Sequence, residues 1–171
     1  HGGKVSSTSN STDGLGFACL KQLSMSGGTK VAWNSEYGGS GLFNIGDNGA
    51  DNMINKGFRV YTVTFADGVA VDVYVLHMDA GTADSDDDYD SNGRDKNIVA
   101  RESQLTQLAN YIKNNHNKRP VIILGDTNCR YTREQLKTGF IDYINADSRF
   151  TIKDPWVEKL WGGAYPAYGT G

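Results

Sequence analysis

Residues 58–65, from Phe58 to Phe65, are dense in β-branched and aromatic side chains, and Asp67-Gly68 follows them almost at once. Such a run favours a strand, and Asp-Gly between two strands is a tight-turn signal. From Val69 to Met78 the apolar residues then alternate with period two. Because strand side chains alternate between faces, Val69, Val71, Val73 and Val75 share one face with His77. A hairpin this apolar must bury a sheet face, which excludes an all-helical bundle. It also puts His77 at a strand end, where a buried strand emerges toward solvent.

The remaining segments fall into place around this hairpin. Residues 1–13 are rich in Gly, Ser and Thr and read as a flexible lead-in, with residues 14–171 as one domain. Leu15, Phe17 and Leu20 to Leu23 suggest a short strand, and Val31-Ala32-Trp33 another. Residues 38–55 carry five glycines and four asparagines and read as a loop. Residues 82–96 form an acidic, polar loop. An amphipathic helix follows, with Ile98, Leu105, Leu108, Ala109 and Ile112 on its apolar stripe and Arg101, Gln104 and Asn110 off it. Pro120 forbids its continuation. Val121 to Leu124 is an all-apolar run, which reads as a strand covered on both faces. Tyr131 to Thr138 reads as a short helix, and the tail from Trp156 to Gly171 as aromatic and glycine-rich without a closing element. Hairpin, helix and buried strand in succession imply an α/β fold with a mixed sheet and helices on its faces.

A length of 171 residues suits one domain with a core, and 38% hydrophobic with 22% charged residues is a globular composition. A net charge of -3 supplies no general attraction to nucleic acid or anionic membranes. No apolar run is long enough to span a membrane, and the opening residues are not expected to be a signal peptide. The first residue is His1, so the sequence is expected to lack the true start of its gene product. Cys19 and Cys129 can pair or stay as thiols, and spacing leaves both open. The triplet Asn10-Ser11-Thr12 fits N-glycosylation and, with it, an extracellular location.

The chemistry-bearing residues gather at strand ends, where the strand fixes the backbone and the next loop stays accessible. Gly125-Asp126-Thr127-Asn128 closes the apolar run. Asp126 offers a hard oxygen ligand or a general base, and Asn128 an amide able to bond a phosphate oxygen. An Asx-turn closing a strand is the purely structural alternative. His77 marks the other strand end, with Asp79 two residues on, and a satisfied structural histidine is its own bland alternative. Arg130 and Arg133 can grip phosphate as bidentate donors or stand as solvated charges. Asp88-x-Asp90-x-Asn92-Gly93 matches the first half of an EF-hand calcium loop, but the twelfth position is Val99 rather than glutamate. A solvated acidic loop fits as well.

Three segments in order carry a resemblance: Val73 through His77-Met-Asp79-Ala-Gly81, then Arg101-x-x-Gln104-x-x-Gln107-Leu108, then Pro120 through Gly125-Asp126-Thr-Asn128. Together they resemble the central portion of the endonuclease/exonuclease/phosphatase superfamily, which includes DNase-I-like nucleases, neutral sphingomyelinases and inositol-phosphate phosphatases. Lys56-Gly57-Phe58 resembles the sphingomyelinase-like branch. The resemblance implies a DNase-I-like four-layer sandwich, two mixed β-sheets flanked by helices, present here in part. It implies a phosphoesterase using Mg²⁺ or Mn²⁺ on a phosphate ester: nucleic acid, phospholipid headgroup or inositol phosphate. Asp126 would orient or deprotonate water, Asn128 would hold the scissile phosphate, and His77 would stabilise the developing charge. The family's early metal-bearing glutamate and its late Ser-Asp-His motif have no counterpart in these 171 residues. The chain alone is therefore expected to be nearly inactive and to be held by other segments of its parent protein. The rival expectation is a secreted, non-catalytic module that binds Ca²⁺ through Asp88, Asp90 and Asn92.

Overall fold

The computed structural model describes residues 15–37 and 56–170. The expected lead-in, its glycosylation triplet and the loop at 38–55 lie outside the described residues. The chain divides into two units, residues 1–81 with 116–128 and residues 82–115 with 129–171.

In the first unit a four-stranded sheet has the order β1-β2-β3-β4. The strands are β1 (Ser24–Ala32), β2 (Gly57–Thr64), β3 (Ala70–His77) and β4 (Val121–Asp126). β1 and β3 flank β2 antiparallel, and β4 joins β3 in parallel. The sheet is thus mixed, as the sequence implies. The β2–β3 hairpin pairs Thr64 with Ala70 through Gly57 with His77. Its turn is closed by Phe65 N donating to Val69 O at 2.8 Å, with Gly68 at φ +85°.

β3 is buried on both faces, which the period-two reading understates. Val71, Val73 and Val75 pack with Tyr61, Val63 and Leu15 on one side, joined by half-buried Phe17, Leu23 and Met25. On the other side lie Tyr74 and Leu76, with Trp33, Phe58 and Tyr74 forming a run of ring contacts at 5.1 and 6.1 Å. Asp72 is buried there too, accepting from Thr62 Oγ1 at 2.8 Å and Arg119 Nε at 2.9 Å. Those two donors allow a carboxylate inside a sheet.

Two expected strand assignments need correction. The strands expected at 15–23 and 31–33 are replaced by one strand, β1, because a β-bulge carries it through Gly27 and Gly28 rather than breaking it. Both glycines have positive φ, and Arg59 Nη1 donates to Gly28 O at 2.6 Å. The apolar run at 121–124 is a strand, but it is not covered on both faces among the described residues. β4 is an edge there, with Ile122 and Leu124 nearly half exposed.

In the second unit, α1 (Lys96–Asn115) packs with a helical stretch made of a π-helical turn, Lys137–Asp142, and a short α2, Tyr143–Asn145. The apolar stripe of α1 is buried from Leu105 through Ile112, facing a partner stretch that buries Phe140, Ile141 and Ile144. The helix expected at 131–138 therefore begins later. A further helix, α3 (Pro155–Leu160), opens the tail that the sequence leaves without an element. Asp154 caps it, its Oδ1 accepting from Trp156 N at 2.8 Å, and Pro155 takes the first turn. That Asp-Pro pair is a helix-start signal legible in sequence.

Arg101 and Gln104 correct the expected polar face of α1, since both are fully buried. Arg101 Nε donates to Glu134 Oε1 at 2.9 Å, and both side chains are inaccessible to solvent. A buried pair like this tolerates the interior only while both charges remain.

Two stability outcomes follow. Arg101→Leu should cost about 3–5 kcal/mol by stranding Glu134, whereas Arg101→Leu with Glu134→Leu should recover most of it, read by urea denaturation. Gly125→Ala should cost about 2 kcal/mol or more. Gly125 sits at φ +131°, and an added Cβ would overlap the Leu76 carbonyl oxygen on the neighbouring strand.

Candidate active site

Parallel pairing makes β3 and β4 end at the same side of the sheet. The register sets Val73 against Ile122, Val75 against Leu124 and His77 against Asp126. Side-chain alternation then puts His77 and Asp126 on one face, on strands about 5 Å apart. The ladder continues past the strands, with Met78 N donating to Asp126 O at 2.9 Å. On its other side His77 pairs with Gly57, which has no side chain. The face beside the imidazole is therefore not crowded from β2. Trp33 Nε1 donates to the His77 carbonyl at 2.8 Å and fixes the strand end from behind.

Asn128 is brought to the same place. Its backbone N donates to Asp126 Oδ1 at 2.8 Å, and its Nδ2 donates to Met78 O at 3.1 Å. Its φ of +51° is left-handed, a conformation asparagine adopts more readily than most residues. The Asx-turn expected as the structural alternative is thus present. It ties the Asp126–Asn128 loop to the exit of β3. Asp126 is exposed, so its carboxylate meets solvent, while Asp79 is buried at 2% exposure and is not a solvent-facing base.

Two residues of this sheet end carry more weight than their sequence signal suggests. Trp33 reads in the sequence only as the end of a short strand, yet it holds the His77 backbone. Lys56, buried at 2% exposure, immediately precedes Gly57, the residue paired with His77. An unusual lysine ahead of an apolar strand was the available signal.

The other candidates belong to the second unit. Arg133 Nε donates to Glu134 Oε1 at 2.7 Å, so its charge is engaged by the carboxylate that holds Arg101. The Arg130 side chain is exposed, and its backbone N donates to Glu134 Oε2 at 2.7 Å. In the acidic loop, Asp90 Oδ1 accepts from the backbone N of Asn92 and of Arg94, at 2.8 and 2.9 Å. Asp88 Oδ2 accepts from Ser85 N and Ser85 Oγ at 3.0 and 2.8 Å. These carboxylates are spent on their own turn, and the backbone N–H of Arg94 above all holds Asp90 below the usual carboxylate range. Asn92 is exposed. Both cysteines are thiols.

Comparison with known proteins places this geometry in context. No family model matches the chain. It is 28% identical over 120 residues to the sphingomyelinases of Mycobacterium bovis and Mycobacterium tuberculosis, a match covering 70% of this chain and 20% of theirs. The chain thus spans about a fifth of the length of these curated relatives. Among solved structures, sphingomyelinase C from Streptomyces griseocarneus is 20% identical with a TM-score of 0.44, covering 67% of this chain and 33% of that one. A Staphylococcus aureus beta toxin mutant with bound magnesium ions is 20% identical with a TM-score of 0.42, covering 69% and 41%. The sequence resemblance to the sphingomyelinase-like branch of the endonuclease/exonuclease/phosphatase superfamily thus meets named relatives.

The acidic loop yields a test. Calorimetric titration with millimolar Ca²⁺ decides between the two readings of this loop: a weak saturable heat lost in Asp90→Ala supports the calcium loop, and heats no different from buffer leave the solvated loop. Because the Asp90 pKa is lowered on folding, its contribution to loop stability is complete above the usual carboxylate range near 3.8 and is lost as pH falls through its folded value. Amide exchange at Asn92 and Arg94 should therefore accelerate only under strongly acid conditions.

Proposed function

We propose that this chain carries the strand-end part of a phosphodiesterase centre and that the substrate is a phospholipid of the sphingomyelin type. The observation that carries the reading is the in-register pairing of His77 with Asp126, with Asn128 tied to the same strand exit. The sphingomyelinase relatives support the substrate class over the nucleic-acid and inositol-phosphate alternatives.

In this reading Asp126 takes a proton from a water molecule as that water attacks phosphorus. Its Oδ1 is oriented by the Asn128 backbone N–H, which fixes the carboxylate plane. Asn128 holds a non-bridging oxygen of the phosphate. His77 donates to a second oxygen, where charge builds as the bond to the leaving alkoxide breaks, and that alkoxide takes up a proton from solvent to leave as the alcohol. The paired strands keep these groups from having to reorganise during the step. Arg130 and Arg133 belong to the proposal as phosphate donors on sequence grounds alone, and the Nε of Arg133 is already engaged by Glu134. An extracellular location is part of the proposal as well.

Magnesium or manganese would supply charge neutralisation at the phosphate. Such ions take one or two carboxylates with waters and substrate oxygens. Among the described residues no three His, Cys, Asp or Glu side chains gather into a metal group. The described donors therefore do not make a cage by themselves, and none of the steps above runs through the ion.

The experiment is hydrolysis by the full-length protein of sphingomyelin, of a chromogenic phosphodiester, of DNA and of an inositol phosphate, with Mg²⁺ and with chelator. Sphingomyelin should be cleaved, and Asp126→Asn and His77→Asn should each lose about 10²–10⁴-fold in kcat. Undiminished turnover by Asp126→Asn would end the assignment, and preference for DNA would overturn the substrate class.

A further inference from the structure

Trp33 stands immediately after the last residue of β1, and its ring is buried. Ala32, before it, pairs with Gly57, and Gly57 pairs in turn with His77. A side chain at Gly57 would collide with the Val31 carbonyl oxygen, so glycine there lets β1 close up on the start of β2. The indole thereby reaches the exit of β3, with the Phe58 ring against it at 5.1 Å between centroids. Packing at this place would be served by any aromatic ring. Indole differs from phenyl in carrying an N–H, a donor with no acceptor capacity, which burial obliges to find a partner. That partner is the His77 carbonyl, at 2.8 Å.

The bond falls on a peptide group that the candidate centre shares. The carbonyl of His77 and the N–H of Met78 belong to one planar unit. Its oxygen accepts from Trp33, and its N–H donates to Asp126 O at 2.9 Å. The next carbonyl, Met78 O, accepts from Asn128 Nδ2 at 3.1 Å. A donor on a peptide oxygen polarises the group and strengthens its own N–H as a donor. The two bonds are therefore coupled in series, from the indole N–H through the His77–Met78 peptide to the Asp126 carbonyl. A tilt of this one plane would change ψ of His77 and φ of Met78 together, moving the imidazole relative to the rung that carries Asp126.

We propose that Trp33 is a positioning residue of the candidate centre: its indole N–H clamps the His77–Met78 peptide and so holds His77 in alignment with Asp126 and Asn128. The inference rests on the reading of those three residues as part of a phosphodiesterase centre. Trp33 touches no reacting atom in that reading. Its contribution is to alignment during the chemical step, so its loss acts on kcat and leaves KM nearly alone.

The test compares the full-length protein with its Trp33→Phe and Val63→Ala variants. Trp33→Phe keeps a ring against Phe58 and removes the N–H. Val63→Ala truncates a buried residue paired with Val71 at the other end of the hairpin, and so controls for lost stability. Hydrogen exchange, followed by mass spectrometry of peptides spanning 76–80, should quicken about tenfold at the Met78 amide in Trp33→Phe. Turnover of a chromogenic phosphodiester by that variant should show kcat lowered about tenfold with KM within about twofold. Val63→Ala should lower the unfolding midpoint at least as far and leave both readouts at their wild-type values. Unchanged exchange at Met78 in Trp33→Phe would overturn the proposal. So would quickened exchange with kcat retained, or equal changes in Val63→Ala, either of which reduces Trp33 to packing. Quickened exchange in a protein whose wild type hydrolyses no phosphodiester removes the catalytic reading, and with it the positioning role, while the clamp itself stands. Hydrolysis that is sensitive to Asp126→Asn but not to Trp33→Phe removes the positioning role alone.

Discussion

The parallel ladder between β3 and β4 is the constraint on which the candidate centre depends. It brings together two segments separated by the whole of residues 78–120, and it fixes their register to the residue. Gly125 makes the ladder possible at its decisive point, since any side chain there would meet the Leu76 carbonyl. One step further, Asp126 is both a rung of the ladder, through Met78 N, and the bearer of the exposed carboxylate. Backbone pairing and the geometry of the candidate centre are the same interaction here. The left-handed turn at Asn128 then returns its amide to Met78 O, so the loop cannot swing away without breaking a bond to β3.

In the second unit a different principle organises the chain. Glu134 is fully buried, and its two oxygens receive Arg101, Arg133 and the backbone of Arg130. Burying a carboxylate costs several kcal/mol unless its lone pairs are filled by charged donors, which is the condition met here. The arrangement favours one specific packing of α1 against the segment that follows Cys129. It also engages Arg133, whose Nε is committed to Glu134.

Local pattern made the hairpin, α1 and the strand at 121–126 legible, because each rests on short-range periodicity or on a turn residue. Convergence of His77 with Asp126 followed from strand ends and from the resemblance. It did not follow from any spacing, because a parallel register is a tertiary fact. The bulge through Gly27-Gly28 was hidden, since glycine reads as a break and only the Arg59 contact across the sheet shows why the strand continues. Arg101 was placed outward because the carboxylate that neutralises it lies 33 residues away. α3 lies in a tail that reads as aromatic and glycine-rich, and only the pair Asp154-Pro155 announces it. Exposure of Ile122 and Leu124 also ran against their apolar character, for hydrophobicity alone cannot tell an edge strand from a central one.

That edge position among the described residues bears on how the candidate centre is held. Central strands are held by two ladders, whereas β4 is held by one among the described residues. Edge elements open at lower free energy than the core they border. His77 belongs to β3, which is paired on both sides and buried on both faces, so it is the fixed member of the pair. Among the described residues, Asp126 and the turn that carries Asn128 belong to the member held by a single ladder. Their added bonds to Met78 therefore matter beyond turn geometry, because they extend the single ladder past its last strand residue and make opening of β4 cost more at the end where chemistry is proposed. The Asp126 carboxylate is exposed at this strand end for the same reason that the tethers matter there.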